Sequence, residues 1–205
     1  MKDTLEPIRV FTDGGSFEEG AICVSVGYAV VDGVAVPLTR TVSRDRDGSM
    51  CAEFIAIHES LKELKRLIHS KKISVNNRAI VLVTDNYGCL NAIRSVLAGT
   101  YSEKLRNKRN QLHQYLIDDC AKQIKSMHTG VTLLHIRSHI KPRQIIQAYK
   151  DFKKTNKVDI SYSEFVFLWQ QNEKCDNNVH HIYHSYVSQY NLNNRGEYLE
   201  NRYQH

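Results

Sequence analysis

Four acidic residues lie where the sequence pattern places strand ends or helix starts. Asp13 ends a short β-rich run, and Asp85 ends a continuous apolar one. Glu53 lies in the first turn of a helical pattern, and Asp176 opens the last such pattern. A single acid at a helix N-terminus is favoured by capping and by the helix dipole, but no helical pattern follows Asp13. Four carboxylates at one site would repel one another without cations between them, and such hard oxygen ligands suit Mg²⁺ or Mn²⁺.

A cluster of this kind is suited to chemistry on phosphodiesters. Two divalent ions roughly 4 Å apart can activate a water molecule and stabilise the leaving oxygen of an in-line displacement. The chain contains 28 Lys and Arg residues against 22 Asp and Glu, a net charge of +6. This excess favours a polyanionic partner, so the acids and the overall charge together point to a nucleic-acid substrate.

The elements that must position these acids form an α/β pattern. β-Rich runs and one continuous apolar run predict strands at 8–12, 22–31, 34–42, 79–84 and 131–136. Apolar residues at three- and four-residue spacing predict helices at about 51–70, 87–97, 105–127 and 172–190. The turn dipeptide Asp32-Gly33 joins the second and third strands as a hairpin. Three antiparallel strands followed by alternating helices and strands predict a mixed sheet.

Composition limits the classes to which the protein can belong. The chain has 205 residues, of which 41% are hydrophobic and 24% charged, as in a soluble globular protein. We expect one domain over 1–190 and a polar C-terminal tail over 191–205. The N-terminus lacks a signal-peptide core, and no apolar run approaches the ~20 residues of a membrane span. Five cysteines without CxxC spacing are typical of reduced thiols, so we expect a cytoplasmic, intracellular protein with no membrane partner.

Five short motifs in order resemble those of type I ribonuclease H, and they span about 8–190. They are Phe-Thr-Asp-Gly-Gly-Ser at 11–16, Ala-Glu at 52–53, Thr-Asp at 84–85, His-Ile-Arg-Ser-His at 135–139 and Asn-Glu-Lys-Cys-Asp at 172–176. The resemblance implies a ribonuclease H-like α/β fold, with a mixed five-stranded sheet of three antiparallel and then parallel strands flanked by helices. It also implies a metal-dependent endonuclease that hydrolyses the RNA strand of RNA–DNA hybrids with two Mg²⁺ or Mn²⁺ ions per active site.

The resemblance assigns roles to individual residues. Asp13, Glu53, Asp85 and Asp176 would be catalytic metal ligands, and His139 would aid proton transfer or product release. We expect nucleic-acid contacts from a second set of residues at the same motifs: Gly14, Gly15, Ser16 and Asn86.

The sequence departs from the family pattern before Glu53 and after His139. Met50 and Cys51 stand where the family usually carries Asn or Gln, and neither side chain hydrogen-bonds well. His139 and Asp176 are separated by 37 positions, so the segment at about 141–171 resembles an insertion. Residues 141–157 contain six basic side chains and one acid.

Two interpretations of this basic segment remain open. It could be a nucleic-acid-binding arm that includes Lys150, Lys153 and Lys154, or only a solvated helix face.

Two other functions are compatible with the motifs. The chain could be another nuclease of the same superfold, such as a junction resolvase or a structure-specific nuclease. It could also be a nuclease-dead nucleic-acid-binding module, although the presence of all four carboxylates disfavours this. A DEDD-type exonuclease is disfavoured because Asp13 is followed by two glycines rather than by an acid two positions later.

Overall fold

The computed structural model describes residues 6–18, 21–43, 48–75, 78–102 and 110–200, with side chains placed as far as residue 189. Its strands are β1 (Ile8–Phe17), β2 (Ile22–Val31), β3 (Val34–Ser43), β4 (Ile80–Thr84) and β5 (Val131–His135). Its helices are α1 (Gly48–His69), α2 (Tyr87–Leu97), α3 (Gln111–Ser126), α4 (Ile145–Asn156) and α5 (Tyr162–Glu200). The start of the helix predicted at 105–127 lies outside the described residues.

The five strands form one sheet in the order β3-β2-β1-β4-β5. β2 runs antiparallel to both β1 and β3, whereas β4 runs parallel to both β1 and β5. This arrangement confirms the predicted ribonuclease H-like fold class. In the parallel pair of β1 and β4, Phe11 lies beside Val83. The residues that follow Phe11 and Val83 therefore lie at the same end of the two strands.

Helices cover both faces of the sheet. α1 packs on one face through an apolar stripe that includes Phe54, Ile57, Leu61 and Leu64, all fully buried. α5 packs on the other face through its own apolar stripe. Both faces of the inner strands are therefore buried, which explains the uninterrupted apolar run of β4. None of the helices in the described part of the chain combines the length and the hydropathy that a membrane-spanning segment needs.

Strand β1 is longer than predicted because the two glycines after Asp13 continue it. The strand is predicted to end at residue 12, and this is wrong: residues 13–17 continue it and pair with 22–26 of β2, so Asp13-Gly14-Gly15 forms no turn. The glycine at 14 serves close packing instead. A Cβ there would lie 2.3 Å from the backbone carbon of Ala52, so only glycine lets α1 approach the strand this closely.

The final helix is also longer than predicted, since α5 begins at Tyr162 and not near Asn172. The apolar stripe starts with Phe165 and Leu168, whose side chains are buried in the same cluster as Cys175. Asp176 therefore lies inside a helix, and the prediction that it opens one is wrong. The segment at 141–171 contains a 3₁₀ turn (Pro142–Gln144), α4 and the first residues of α5.

Candidate active site

Three of the predicted acids converge from three different elements. Asp13 lies on β1, Glu53 on α1, and Asp85 directly after β4. One carboxylate oxygen from each lies within 4.8 Å of the others. Asp13 and Glu53 are only 5% and 6% exposed. Asp13 and Glu53 thus form the buried part of the cluster, and the half-buried Asp85 forms the part nearest to solvent.

Local packing explains why the three side chains meet. Since β1 and β4 are parallel and Phe11 pairs with Val83, Asp13 and Asp85 lie at equivalent positions two residues later. The close approach at Gly14 brings the first turns of α1 across β1. The Ser25 hydroxyl on β2 donates to the carbonyl oxygen of Ala52 over 2.7 Å, which fixes the α1 backbone beside Glu53.

Burial and mutual repulsion favour the protonated forms of these acids. Burial, followed by the charges of Asp85 and Asp176, raises the pKa of Asp13 from 3.8 to about 7. Burial and the charge of Asp13 raise the pKa of Glu53 well above its usual value, and hydrogen bonds with Asn86 and Gly14 only partly oppose this rise. The cluster needs a proton or a cation to be stable at neutral pH.

The donor set fits a hard divalent cation. The Oε2 atom of Glu53 is buried and has no hydrogen-bond partner among the described residues. An unpaired buried carboxylate oxygen is costly, and a metal ion at the three-carboxylate cluster would satisfy it. The ligands are all oxygen atoms, as Mg²⁺ and Mn²⁺ prefer.

Asp176 lies at the border of this cluster and not among the three closest carboxylates. It is half-buried, and burial raises its pKa, while the nearby His139 and His180 act in the opposite direction. Its charge also raises the pKa of Asp13. The structure therefore brings the fourth predicted acid near the other three, on a helix that crosses the sheet.

His139 is exposed on the loop after β5, with a positive φ of 52°. Its backbone N–H donates to Oε1 of Glu173 on α5 over 2.8 Å. Because its charge lowers the pKa of Asp176, the two side chains are close despite their separation in sequence. The predicted histidine and the predicted fourth acid therefore share one corner of the site.

Comparison with known proteins finds similar proteins among solved structures only. No family model and no curated protein matches the sequence. The N-terminal RNase H domain of a Mycobacterium tuberculosis protein, fused to maltose-binding protein, matches with a TM-score of 0.43 and 10% identity over 68% of this chain and 90% of that one. RNase H1 of Halobacterium salinarum matches with a TM-score of 0.44 and 11% identity over 73% of this chain and 93% of that one. The PFV RNase H domain has a TM-score of 0.44 and 13% identity over 73% of this chain and 92% of that one.

These three matches are all ribonuclease H domains. They are structures of the family that the five sequence motifs resemble. The TM-scores are below 0.5 and the identities are 13% or lower, so the chemistry of the site rests on its own residues.

The residues predicted to contact nucleic acid occupy different environments. Gly14 is buried under α1, while Gly15 and Ser16 are half-buried further along β1. The Oδ1 atom of Asn86 accepts a hydrogen bond from the backbone N–H of Cys89 over 3.0 Å, which caps α2. Asn86 also bonds to Glu53, so its side chain supports the acidic cluster.

The three predicted lysines lie on α4 but are not equivalent. Lys150 and Lys154 are exposed. Lys153 pairs with Asp159 and lies 5.4 Å from the centre of the Tyr149 ring. Part of its charge is therefore already matched within the protein, so we expect it to contribute less to phosphate binding than the other two.

Two residues near the site were missed by the sequence analysis. The Nε2 atom of His135 lies 3.0 Å from the carbonyl oxygen of Asp85. The ring of Tyr87 meets the His135 ring edge-on, with centroids 5.3 Å apart. His135 belongs to a recognised motif at the end of a strand, which was an available signal, but no sequence pattern identifies its partner.

Proposed function

We propose that this chain is a divalent-metal-dependent endonuclease that hydrolyses the RNA strand of RNA–DNA hybrids. The observation that carries the proposal is the convergence of Asp13, Glu53 and Asp85, with one oxygen of each within 4.8 Å of the others. Buried like charges at this distance oppose folding. A protein retains such an arrangement where the charges serve a site, and clustered perturbed carboxylates are typical of functional sites.

The four acids would hold Mg²⁺ or Mn²⁺, with two ions in each active site. Asp13, Glu53 and Asp85 would form the inner part, and Asp176 would complete it from the side of α5. When bound, the ions would supply Lewis-acid activation of water and neutralise charge on the phosphodiester.

The chain's own residues divide the remaining work. Asp13 is anchored by the backbone N–H of Gly14, which donates to its Oδ1 over 2.9 Å. Glu53 is buried and held by Asn86, so with a cation bound its carboxylate would supply a fixed charge that solvent does not screen. His139 is exposed beside Asp176, where it could transfer a proton to the departing oxygen or assist product release.

The choice of substrate rests on the ordered motifs and on charge. The net charge of +6 and the exposed lysines of α4 favour a polyanion. The preference for a hybrid comes from the resemblance of the motifs to type I ribonuclease H.

A second candidate is another nuclease of the same superfold, and the start of α1 supports it. Met50 is 39% exposed there, and Cys51 is buried at 2% exposure. An apolar thioether offers no strong hydrogen bond to the edges of bases. A substrate other than a hybrid would then be selected by its shape rather than by groove contacts.

Cleavage of a matched set of substrates tests the proposal. Hybrid, double-stranded RNA, double-stranded DNA and a four-way DNA junction, each labelled on one strand, are incubated with Mg²⁺ or with EDTA. We expect internal cuts in the RNA strand of the hybrid, in Mg²⁺ only. Cleavage of the junction with an intact hybrid would replace the proposal with the second candidate, and no cleavage of any substrate would contradict both.

Variants assign the activity to the cluster. Asp13→Asn should reduce turnover by at least about a hundredfold, because metal-ion catalysis contributes several kcal/mol of charge stabilisation. Asp151→Asn is the matched control, since this exposed acid on α4 undergoes the same chemical change outside the cluster. Turnover of Asp13→Asn within tenfold of the wild type would contradict the assignment.

A further inference from the structure

A cavity separate from the candidate active site lies beside α5, on the side of the helix away from Asp176. It has a volume of about 380 Å³ and is bounded by α5 and by strands β2 and β3. Its α5 residues recur at helical spacing: Gln171, Lys174, Asn178, His181 and Ile182. The periodicity of the helix places Asp176 on the other side of the buried stripe. The candidate active site and this cavity therefore occupy opposite flanks of one helix.

Three basic side chains line the cavity, and its lining includes no acid among the described residues. Arg40, Lys174 and His181 are exposed there. None of the three has a hydrogen bond or an ion pair with another described residue. Lysine and arginine side chains without partners around a concave surface attract anions, and arginine suits phosphate in particular.

Three acids of an adjoining groove form ion pairs with arginines. This groove shares Lys174 with the cavity and carries Glu6, Asp32 and Glu164. Glu6 and Glu164 both pair with Arg9, and Asp32 pairs with a buried arginine, Arg78. None of these three acids lines the cavity itself, where Arg40 and Lys174 supply the positive charge.

The floor of the cavity is apolar and its rim polar. Val26, Tyr28, Pro37 and Ile182 supply apolar surface, and Thr39 and Asn178 supply hydrogen-bonding groups. The volume is within the usual range for small-molecule sites, about 300–1,000 Å³. An inorganic anion would leave the apolar floor uncovered, whereas a phosphate joined to a flat ring would use both surfaces.

We propose that this cavity binds a nucleotide unit through its phosphate, either as a free nucleoside monophosphate or as the phosphorylated end of a strand. Arg40 and Lys174 hold the phosphate, and the ring lies over the apolar floor. The site does not depend on the proposed nuclease activity.

Binding is measured by calorimetry in EDTA, so that divalent ions play no part. Uridine 5′-monophosphate should bind saturably and more tightly than inorganic phosphate. Arg40→Gln and Lys174→Gln should each weaken binding about tenfold, as expected for loss of one charge-assisted hydrogen bond. Lys125→Gln, the same loss of a lysine charge at an exposed position on α3, should leave the affinity unchanged. No saturable binding of the nucleotide, or equal affinity in the Arg40 and Lys174 variants, would overturn the proposal.

The source of the phosphate is determined with a tetranucleotide that carries either a 5′-phosphate or a 5′-hydroxyl group. Tighter binding of the phosphorylated tetranucleotide than of the monophosphate identifies a strand end as the ligand. Tighter binding of the monophosphate identifies a free nucleotide. Equal binding of the two tetranucleotides, together with no binding of the monophosphate, would overturn the proposal.

A separate inference concerns α4 and the edge of the sheet. Among the strands of the described residues, β5 lies at the edge of the sheet, so no strand there pairs with its outer backbone groups. The Asn156 side chain takes the place of a neighbouring strand at His135. Its Oδ1 accepts from the His135 N–H over 2.8 Å, and its Nδ2 donates to the His135 carbonyl oxygen over 2.7 Å. Arg94 supports the same edge by donating to Leu133.

The two hydrogen bonds between the Asn156 side chain and the His135 backbone connect α4 to the acidic cluster. A carbonyl oxygen can only accept, so His135 Nε2 donates to the Asp85 carbonyl oxygen at their distance of 3.0 Å. The chain of contacts runs from α4 through Asn156 and His135 to the backbone of Asp85. Asp85 directly follows Thr84, the last residue of β4 whose pairing with β5 is recorded.

We infer that Asn156 is a positioning residue for Asp85, which gives α4 a role in the site besides its lysines. The first measurement that tests this inference is the affinity for metal in the absence of nucleic acid. Only the expected effect of Asn156 on nuclease activity rests on the proposed function. Support residues behind metal ligands typically change affinity 10–100-fold when they are altered.

Mn²⁺ titration followed by electron paramagnetic resonance tests this inference. Asn156→Asp keeps the shape and the acceptor but loses the donor, and it should weaken Mn²⁺ binding about tenfold. The ¹⁵N resonance of His135 Nε2 should shift in the same variant. Asn110→Ala is the control for a general loss of stability. This substitution removes the N-cap of α3 and does not alter Asn156, His135 or Asp85.

The outcomes are distinguishable from a failure of the proposed function. Wild-type affinity for Mn²⁺ in Asn156→Asp would overturn the inference, even if that variant is less stable. If the wild type binds Mn²⁺ but cleaves no substrate, the proposed function fails, and the measured affinity still decides the role of Asn156.

Discussion

Replacement of Asp13 by asparagine removes one charge from the acidic cluster with little change in shape. The side-chain oxygen of the introduced asparagine can keep the hydrogen bond that the Gly14 N–H donates over 2.9 Å. Without metal, the wild-type carboxylate is buried and faces Asp85 and Asp176, which raises its pKa to about 7. The substitution should therefore stabilise the protein when divalent ions are absent.

The size and sign of this effect follow from proton linkage. The folded protein binds a proton at Asp13 with a pKa of about 7, against 3.8 for the unperturbed side chain. The unfolded state thus binds fewer protons between these values, and the stability of the wild type falls as pH rises through that window. At about 1.4 kcal/mol for each tenfold change in proton affinity, the destabilisation above pH 7 amounts to at most about 4 kcal/mol. The uncharged amide of the variant carries none of this destabilisation.

Urea unfolding in EDTA at pH 4, 6 and 8 measures the difference between the two proteins. We expect the free energies of unfolding to be similar at pH 4, and Asp13→Asn to be more stable at pH 8 by up to about 4 kcal/mol. Saturating Mg²⁺ should stabilise the wild type at pH 8 but not the variant. Asp151→Asn should show neither effect. An Asp13→Asn protein no more stable than the wild type at pH 8 in EDTA would refute this electrostatic reasoning.

Three further predictions concern the histidine, the lysines and the glycine contact. His139→Ala should lower kcat by about 10²-fold, the low end for general acid–base catalysis, without altering the Mg²⁺ dependence of cleavage; loss of metal binding in calorimetry would contradict this role. Lys150→Gln with Lys154→Gln should flatten the salt dependence of hybrid binding by up to ~1.8 in log–log slope, at ~0.9 per phosphate contact, and an unchanged slope would leave α4 without a role in binding the duplex. Gly14→Ala places a Cβ 2.3 Å from the Ala52 backbone and should lower the free energy of unfolding by about 3 kcal/mol, the upper part of the range for overpacking; wild-type stability in urea would show that α1 moves aside freely.

The sequence was sufficient for the sheet and for α1 because both leave local patterns. The apolar run of β4 and the three- and four-residue spacing along α1 reflect burial by neighbouring layers. Glycine was ambiguous, since the same residue permits a turn or a close approach, and only the position of Ala52 on α1 decides between them at Gly14. The length of α5 was missed because its aromatic first turns were assigned to an insertion.

Contacts between distant segments could not be predicted from one sequence. Asn156 and His135 are joined by an amide pair, yet each alone is an ordinary polar residue. The cavity beside α5 likewise depends on the position of Arg40 opposite Lys174 across two elements. Single-sequence patterns report which face of an element is buried, and they carry little information about which polar groups meet there.

The most direct test of the acidic cluster as a metal site is calorimetric titration of Mn²⁺ into the wild type at pH 6.5. The titration is run in two buffers of different ionisation enthalpy, so that the number of protons released on binding can be calculated. Ligands must lose their protons to bind metal, and Asp13 has a pKa of about 7, with that of Glu53 also raised. We predict saturable binding with release of at least about half a proton per protein molecule. Absence of binding, or binding that releases no proton, would contradict the claim that these carboxylates hold the catalytic metal.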